Sequence, residues 1–350
     1  MSSAPAPRRR VLVVGTGSAG LRHIRNLVAN GSAVTAFSYR AAAGGSAPAL
    51  PAGVALAGSL DQAFAARPDA VLVANRTDAH VAVALDAAQR GCHLFIEKPL
   101  SNSLDGVAAL RAAVAQRRLV VETGFMLRLH PNVAWMRQHV ASGALGPIRY
   151  VRAAVGQHLA DWRPGTDHRA SYSAKRGCGG VIFDLVHELD LIEWLAGPVE
   201  QVSAMTAQDP SLKIESEAVA EIAMRCASGA LAQAHLDYVR PVYGRTLEIV
   251  GTDGVLTWDY TAGTVSLAER DGAPRVVHRV PAGFDRNDMF AAHARHFLSR
   301  LDDGALPAVS SLEAGVAALR LALAAHASAA AQRTIAVAEL AEPVAAAGHG

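Results

Sequence analysis

The run Val11-Leu12-Val13-Val14 stops at Gly15-Thr16-Gly17-Ser18-Ala19-Gly20, and behind it Leu21, Ile24, Leu27 and Val28 fall at helical spacing. Strand, glycine turn and helix in that order leave little freedom of fold, because each glycine has its own steric task. Gly15 permits the tight turn, Gly17 lets backbone approach a pyrophosphate, and Gly20 lets the helix pack closely on the strand. Ser18, Ala19 and Gly20 then open a helix whose free amides suit the phosphates of a dinucleotide.

The next strand is expected at Ala33–Phe37, ending in Ser38-Tyr39-Arg40. No Asp or Glu stands between Gly15 and Asp61, so the acid that usually binds the ribose hydroxyls of NAD is missing, whereas Arg40 with Ser38 suits a 2′-phosphate. NADP is therefore the expected cofactor. NAD held through backbone, with Arg40 a solvated loop residue, is the alternative.

Buried runs recur further on. Ala70-Val71-Leu72-Val73-Ala74 precedes Asn75-Arg76-Thr77-Asp78-Ala79-His80 and a helix to about Arg90, and Leu94-Phe95-Ile96 precedes Glu97-Lys98-Pro99. Repeated strand and helix units predict a doubly wound parallel sheet, whose ligands bind beyond the carboxyl ends of the strands. Asn75, Arg76, Glu97 and Lys98 are accordingly expected along the cofactor crevice, with His80 either beside them or serving as a packing or capping histidine. Lys98 is placed to hydrogen-bond a substrate oxygen or help move its proton; a solvated lysine beside a turn is the plain alternative.

After an expected strand at 119–122 and a crossing segment, 124–128, the texture changes. Alternating runs between residues 148 and 267, with turn signals at Ser228-Gly229 and Asp253-Gly254, predict a largely antiparallel sheet. Helices are expected at 133–142, 290–301 and Leu312–Ala331. The fold class read from this is α/β: a dinucleotide-binding doubly wound domain over 1–126, then an α+β domain with a large, mostly antiparallel open sheet over 127–343, and a tail over 344–350.

Lys and Arg total 33 against 31 Asp and Glu, a net charge of +2, which gives no electrostatic case for nucleic acid or an anionic membrane and leaves a small molecule as the expected partner. Cys92, Cys178 and Cys226 lack any paired spacing, which argues against a disulfide framework and suits the cytoplasm. No apolar run reads as a membrane span. Arg8-Arg9-Arg10 reads as a solvated tail rather than a targeting signal, because the apolar run behind it breaks at Gly15.

A second chemical cluster follows Gly177-Cys178-Gly179-Gly180. Asp184, His187 and Asp190 stand at three-residue steps in a helical pattern, so they share one face. Carboxylates beside an imidazole hold its orientation and keep it able to exchange protons, which makes His187 a candidate general acid/base; a buried, satisfied histidine is the alternative. A His-Glu-x-x-His zinc helix fails because position 191 is Leu, and no metal is expected.

Together the Gly15 to Gly20 fingerprint, the Glu97-Lys98-Pro99 triplet and the glycine-led helix of Asp184, His187 and Asp190 resemble the Gfo/Idh/MocA oxidoreductases, over nearly the whole chain and including Arg286-Asn287. The resemblance implies an N-terminal Rossmann domain, Lys98 as the catalytic lysine, often next to a cis proline, Asp184 as the substrate-contacting acid and His187 as the proton-transferring histidine. The family pattern separates that acid and histidine by four residues and this chain by three, so either Asp184 or Asp190 supports His187. The stretches around Trp162-Arg163-Pro164 and Ser171-Tyr172-Ser173-Ala174-Lys175 are similar to a subgroup associated with surface-polysaccharide and nucleotide-sugar pathways. By that likeness Arg128, Arg163, Tyr172 and Lys175 join Asp184 and His187 as candidate substrate contacts, each otherwise a loop residue. The implied activity is NAD(P)-dependent hydride exchange with a carbinol or ketone carbon of a sugar, nucleotide sugar or cyclitol, in a homodimer or homotetramer. Two rivals stay open: a noncatalytic dinucleotide-binding sensor, and a reductase of a non-sugar substrate on the same fold.

Overall fold

In the computed structural model, which describes residues 8–162 and 165–340, the apolar runs of the first third become strands β1 (Arg10–Val14), β2 (Ala33–Phe37), β3 (Ala55–Ala57), β4 (Ala70–Val73), β5 (His93–Ile96) and β6 (Val121–Thr123). Helices α1 (Ser18–Ala29), α2 (Tyr39–Ala42), α3 (Leu60–Ala65), α4 (His80–Gln89) and α5 (Val107–Arg117) alternate with them. The strands pair in parallel in the order β3-β2-β1-β4-β5-β6. From β1 the chain runs outward to β2 and β3, then returns past β1 to β4, β5 and β6. Strands β1 and β4 therefore flank the topological switch point, where such sheets open a crevice beyond their carboxyl ends. Strands covered on both faces are apolar throughout, which is why Val11 to Val14 and Ala70 to Val73 are buried without alternation.

The chain continues through α6 (Pro131–Ala141), β7 (Ile148–Gly156), α7 (Val181–Asp184) and α8 (His187–Ala196) into β8 (Val199–Ala207), β9 (Val219–Cys226), β10 (Leu231–Asp237), β11 (Gly244–Gly251), β12 (Gly254–Asp259), β13 (Thr264–Glu269) and β14 (Arg275–Arg279). It ends with α9 (Arg286–Asp302), α10 (Leu312–Ala331) and β15 (Ile335–Ala336). Strands β7 to β15 form one nine-stranded sheet in the order β14-β13-β12-β11-β7-β10-β9-β8-β15. Its pairs are antiparallel except β7 with β10. Period-two patterning decides its faces: Ala220, Ile222, Met224 and Ala232, Ala234, Leu236 are buried, while Glu221, Gln233 and His235 point the other way and hydrogen-bond to one another.

The chain divides into two units. One runs through Met126 and takes back Asp285–Glu313; the other holds Leu127–Phe284 and, among the described residues, Ala314 to Leu340. The domain drawn from sequence over 127–343 therefore loses α9 to the first unit. Packing explains the transfer: Phe95 of β5 lies edge-on to Phe297 and His293 of α9, at 5.6 and 4.7 Å between ring centres. Ala294 and Phe297 also share an apolar cluster with Val13, Ile24 and Leu72.

Two further expectations are refined. Arg8-Arg9-Arg10 leads into β1 at the surface, as read, but is tethered there: Arg8 Nε donates to the Gly31 carbonyl (2.6 Å), Arg9 pairs with Asp302, and Arg10 pairs with Asp69 at 3.0 Å. Helix α10 is, by length and composition, long and apolar enough to cross a membrane, and half of that stretch is buried inside the protein. The tail expected over 344–350 lies outside the described residues.

Candidate active site

At the end of β1 the chain turns through Gly15 with φ +104°, where a Cβ would lie 2.3 Å from the Ala74 carbonyl oxygen. A Cβ on Gly20 would come within 2.0 Å of the Gly15 oxygen, so α1 rests directly on the turn. At Gly17 a Cβ would meet nothing within 4 Å; the outer side of the turn is open. Helix α1 has no side-chain cap and no acid in its first turn, so the amides at Ser18, Ala19 and Gly20 are not competed for by a carboxylate. Both polar atoms of the Asn75 side chain are buried with no hydrogen-bond partner among the described residues. A steric cradle, uncontested amides and an orphaned amide side chain fit a dinucleotide.

At the end of β2, Ser38 is buried, accepts from Thr16 Oγ1 at 2.8 Å and caps α2 through the Ala41 amide. It braces the glycine turn against β2. Arg40 is exposed and makes no ion pair among the described residues. Arg76, largely exposed, pairs with Asp78 at 2.6 Å.

His80 is buried with Nδ1 2.9 Å from the Pro99 carbonyl and Nε2 3.3 Å from the Asn75 carbonyl. Burial pulls its pKa below the ordinary histidine value against the pull of these carbonyls, so the ring is neutral and donates over the shorter contact, to Pro99. Its place is structural: it ties the Asn75 loop to the turn after β5. On that turn Glu97 is buried, with Oε1 2.6 Å from His23 Nε2 and Oε2 accepting from the Lys98 amide at 3.0 Å. Both oxygens face the protein, so Glu97, expected at the cofactor, instead anchors the lysine-bearing corner. A Cβ on Gly124 would lie 2.9 Å from Oε2, which is why that position is glycine. The Lys98-Pro99 peptide is cis.

In the second unit the helix read as continuous is interrupted. Helix α7 ends at Asp184, Leu185 takes φ −102° and ψ 25°, and α8 begins at His187. The three acids around that break go to three different partners. Tyr238, fully buried and edge-on to Trp162 at 5.2 Å, donates to Asp184. Burial and the Asp184 charge both push the Tyr238 hydroxyl well above its ordinary pKa, so it remains a donor. Glu188 accepts from Arg245 Nε at 2.7 Å, both groups buried. Asp190 takes Arg128 in a two-pronged bond of 3.0 and 2.6 Å, and that guanidinium lies 5.0 Å from the centre of the Trp194 ring. Arg128, expected at the substrate, is thus held on α8, and of the two acids weighed as supports for His187, Asp190 has both oxygens on Arg128. His187 itself is buried at the start of α8. Tyr172 is half-buried in a short turn and Lys175 is exposed; Arg163 lies outside the described residues.

Sequence reasoning missed His23, Tyr238, Glu217 and Arg245. None carries a local signal, because each finds its partner dozens of positions away. Glu217 closes over the start of α7: its Oε1 accepts from the Ile182 amide at 3.2 Å, and a Cβ on Gly180, at φ +98°, would fall 2.1 Å from it. Burial raises Glu217 to about 7, outweighing that hydrogen bond, and the Asp184 charge adds to the rise. A carboxyl whose pKa is higher folded than unfolded makes stability fall with rising pH between the unfolded value, near 4.5, and about 7, and leaves it level above. At 1.36 kcal/mol per pH unit the loss is about 3 kcal/mol. Glu217→Gln is expected to flatten that part of the stability–pH curve, measured by denaturant unfolding from pH 4.5 to 8; an unchanged slope would remove Glu217 as its source. Among the described residues no group of three or more His, Cys, Asp or Glu side chains is arranged to hold a metal ion.

Residues 9–125 match the family model described as "Oxidoreductase family, NAD-binding Rossmann fold", and residues 133–257 match "GFO/IDH/MocA C-terminal domain". Inositol 2-dehydrogenase 2 of Paenarthrobacter aurescens is 28% identical over 326 residues, 88% of this chain and 92% of that one. Myo-inositol 2-dehydrogenase of Thermotoga maritima is 27% identical over 78% of this chain and 80% of its own. The fold is shared with levoglucosan dehydrogenase in complex with NADH and levoglucosan (TM-score 0.81, 20% identity, 94% of this chain and 99% of that one). It is also shared with an inositol dehydrogenase homolog from Azotobacter vinelandii complexed with NADH and myo-inositol (TM-score 0.77, 18% identity, 95% and 98%).

Proposed function

The chain belongs to the Gfo/Idh/MocA family of oxidoreductases, and from that premise we propose that it is an NAD(P)-dependent dehydrogenase or reductase acting on a CH–OH carbon of a sugar, nucleotide sugar or cyclitol. The nicotinamide, when bound, accepts or returns the hydride of the carbinol carbon. The chain's own residues do the rest. The amides of Ser18 to Gly20 and the Asn75 side chain hold the dinucleotide. Lys98 polarises the substrate oxygen, and His187 takes the hydroxyl proton in oxidation or gives it back in reduction. Asp184, fixed by Tyr238, orients substrate or imidazole. Tyr172, Lys175 and Arg163 are proposed as further substrate contacts.

One observation carries this reading: the corner Glu97-Lys98-Pro99 stands at the carboxyl end of β5, the strand next to β4 at the switch point, with Glu97 turned inward and Lys98 leading out of the strand. The named activities of the relatives, on inositols and levoglucosan, support the substrate class. The test is a panel of inositols, anhydrosugars, free sugars and nucleotide sugars with NAD and NADP, followed by absorbance of the reduced cofactor. Cofactor binding without turnover on any of them would favour the sensor instead.

We further propose that NADP is preferred, because β2 ends in Ser38 with no acid and an exposed Arg40 follows. Ser38→Asp keeps a capping oxygen for α2 while placing a carboxylate at the ribose. Combined with Arg40→Ala, it is expected to lower NADP preference over NAD about ten- to hundredfold, the worth of a charged hydrogen bond. The ratio of kcat/KM values measures this, and an unchanged ratio would place the preference elsewhere.

The proposed assembly is a homodimer or homotetramer through the outer face of the nine-stranded sheet. Met205 (74% exposed) and Leu231 (47%) stand on that face across from Glu221 and Arg225. The cytoplasm is the proposed location, with all three cysteines free.

A further inference from the structure

Lys98 is one of only three lysines in the chain, with Lys175 and Lys213, and what stands behind it is as specific as the lysine. The Glu97 carboxyl is wedged between α1 and the Lys98 peptide, one oxygen on His23 Nε2 at 2.6 Å and the other on the Lys98 amide at 3.0 Å. Gly124 makes the space that Oε2 occupies, since a Cβ there would lie 2.9 Å from it. His23 is fixed in turn, with its ring 5.1 Å from Phe95 and 5.8 Å from Phe290. Its Nδ1 is buried without a hydrogen-bond partner, so the ring's proton belongs on Nε2, aimed at Glu97.

On the reading of Lys98 given above, we propose that His23, acting through Glu97, is a positioning residue for the reaction: it keeps Glu97 a fixed carboxylate that holds the Lys98 backbone in place and supplies the countercharge to its ammonium. His23 also stands one turn along the same helix whose first residues serve the dinucleotide phosphates. The helix that binds the cofactor and the corner that carries the lysine are thereby tied through one hydrogen bond.

Electrostatics support the geometry. The charged or titratable groups around Glu97 are His23 and Arg22 of α1, His80 of α4, His293 of α9, and Lys98 itself. Burial pushes the Glu97 carboxyl up, but the His23 hydrogen bond, with the Lys98 charge and amide, outweighs it and holds the carboxyl below its ordinary value. Remove the His23 donor, and burial is opposed by less. Glu97 then takes up a proton more readily, and Lys98 loses its countercharge.

The experiment is a titration of the lysine side-chain signals by NMR on the full chain labelled only in lysine, with the three signals assigned by Lys175→Arg and Lys213→Arg. It reads Lys98 without requiring turnover. His23→Leu and Glu97→Gln are each expected to move the Lys98 titration down by about one pH unit or more. Both should shift the kcat–pH profile in the same direction and lower kcat with little change in the KM for cofactor. His23→Gln, whose side-chain amide can donate from near the Nε2 position, is expected to restore both toward wild type. An unchanged Lys98 titration in folded His23→Leu, or failure of His23→Gln to restore what His23→Leu loses, would reduce His23 to packing. Glu97→Gln is nearly isosteric and gives the same readout should His23→Leu not fold. If the Lys98 signal responds as expected while the wild-type protein turns over none of the panel substrates, the dehydrogenase reading falls and the His23–Glu97–Lys98 linkage stands.

Discussion

Lys98→Met is expected to lower kcat by about a hundred- to ten-thousandfold, the usual worth of a positioned proton-handling group, while leaving cofactor affinity largely unchanged. Methionine keeps an unbranched chain of similar reach and removes only the ammonium. The Lys98 amide that Glu97 accepts is untouched, as are the glycine turn and the Asn75 loop. His187→Ala should behave alike, because it removes the imidazole and leaves the anchors of α8, Glu188 on Arg245 and Asp190 on Arg128, in place. If both groups serve one carbinol, the double variant should lose little more than the worse single one, since residues acting as a unit are not additive. Single-turnover kinetics with a substrate from the panel, beside cofactor titration by fluorescence, separates the two effects. Wild-type turnover in both single variants would remove Lys98 and His187 from the mechanism.

What the sequence disclosed and what it hid divide along the range of the forces involved. The crevice of the first unit was legible because its determinants are local. A buried parallel strand must be an apolar run, a glycine must stand where a Cβ would strike Ala74 or Gly15, and a proline after Ile96-Glu97-Lys98 must end the strand. The second cluster was legible as a cluster but not as a shape. Asp184 to Asp190 fits an unbroken helix by periodicity, and no glycine or proline stands at Leu185-Val186 to mark the break. Partners distant in sequence account for it: Tyr238, Arg128 and Arg245 each claim a different acid, and three buried polar anchors outweigh the local preference of two residues. Strand β3 escaped because Ala-Leu-Ala has no β-branched residue, and β14 because it is an outermost strand with mostly exposed positions and no regular alternation. For Arg128 and Arg76 the sequence shows the charge but not the carboxylates they pair with, Asp190 and Asp78.

The same long-range logic yields the largest expected effect on stability. Glu122, adjacent to the end of β6 and fully buried, is where the returning segment of the first unit is fastened. It accepts from Arg300 Nη1 at 2.9 Å, from the amides of Val309 and Ser310 at 3.2 and 3.0 Å, and faces His293 Nε2 at 3.3 Å. Burial pushes this carboxyl up, but the His293 bond and charge, the Ser310 amide and the Arg300 charge outweigh it and hold its pKa below the ordinary value. Glu122→Ala strips the counterion from Arg300, a group only 12% exposed, and removes the carboxylate that accepts from the Ser310 amide. The expected cost is about 3 to 5 kcal/mol, as when one partner of a buried pair is removed. Glu122→Gln keeps an acceptor oxygen but not the charge, and should lose less. Because the folded pKa is depressed, the carboxylate's contribution is full above the unfolded value and disappears as pH falls through the folded one. The gap between wild type and Glu122→Gln should accordingly close on acidification. Calorimetry across pH 3 to 7 with hydrogen exchange read on α9 measures both effects: in Glu122→Ala the α9 amides should lose protection before those of β1 and β4. Protection of α9 equal to wild type would show that Phe297 and its neighbours hold the helix without the carboxylate.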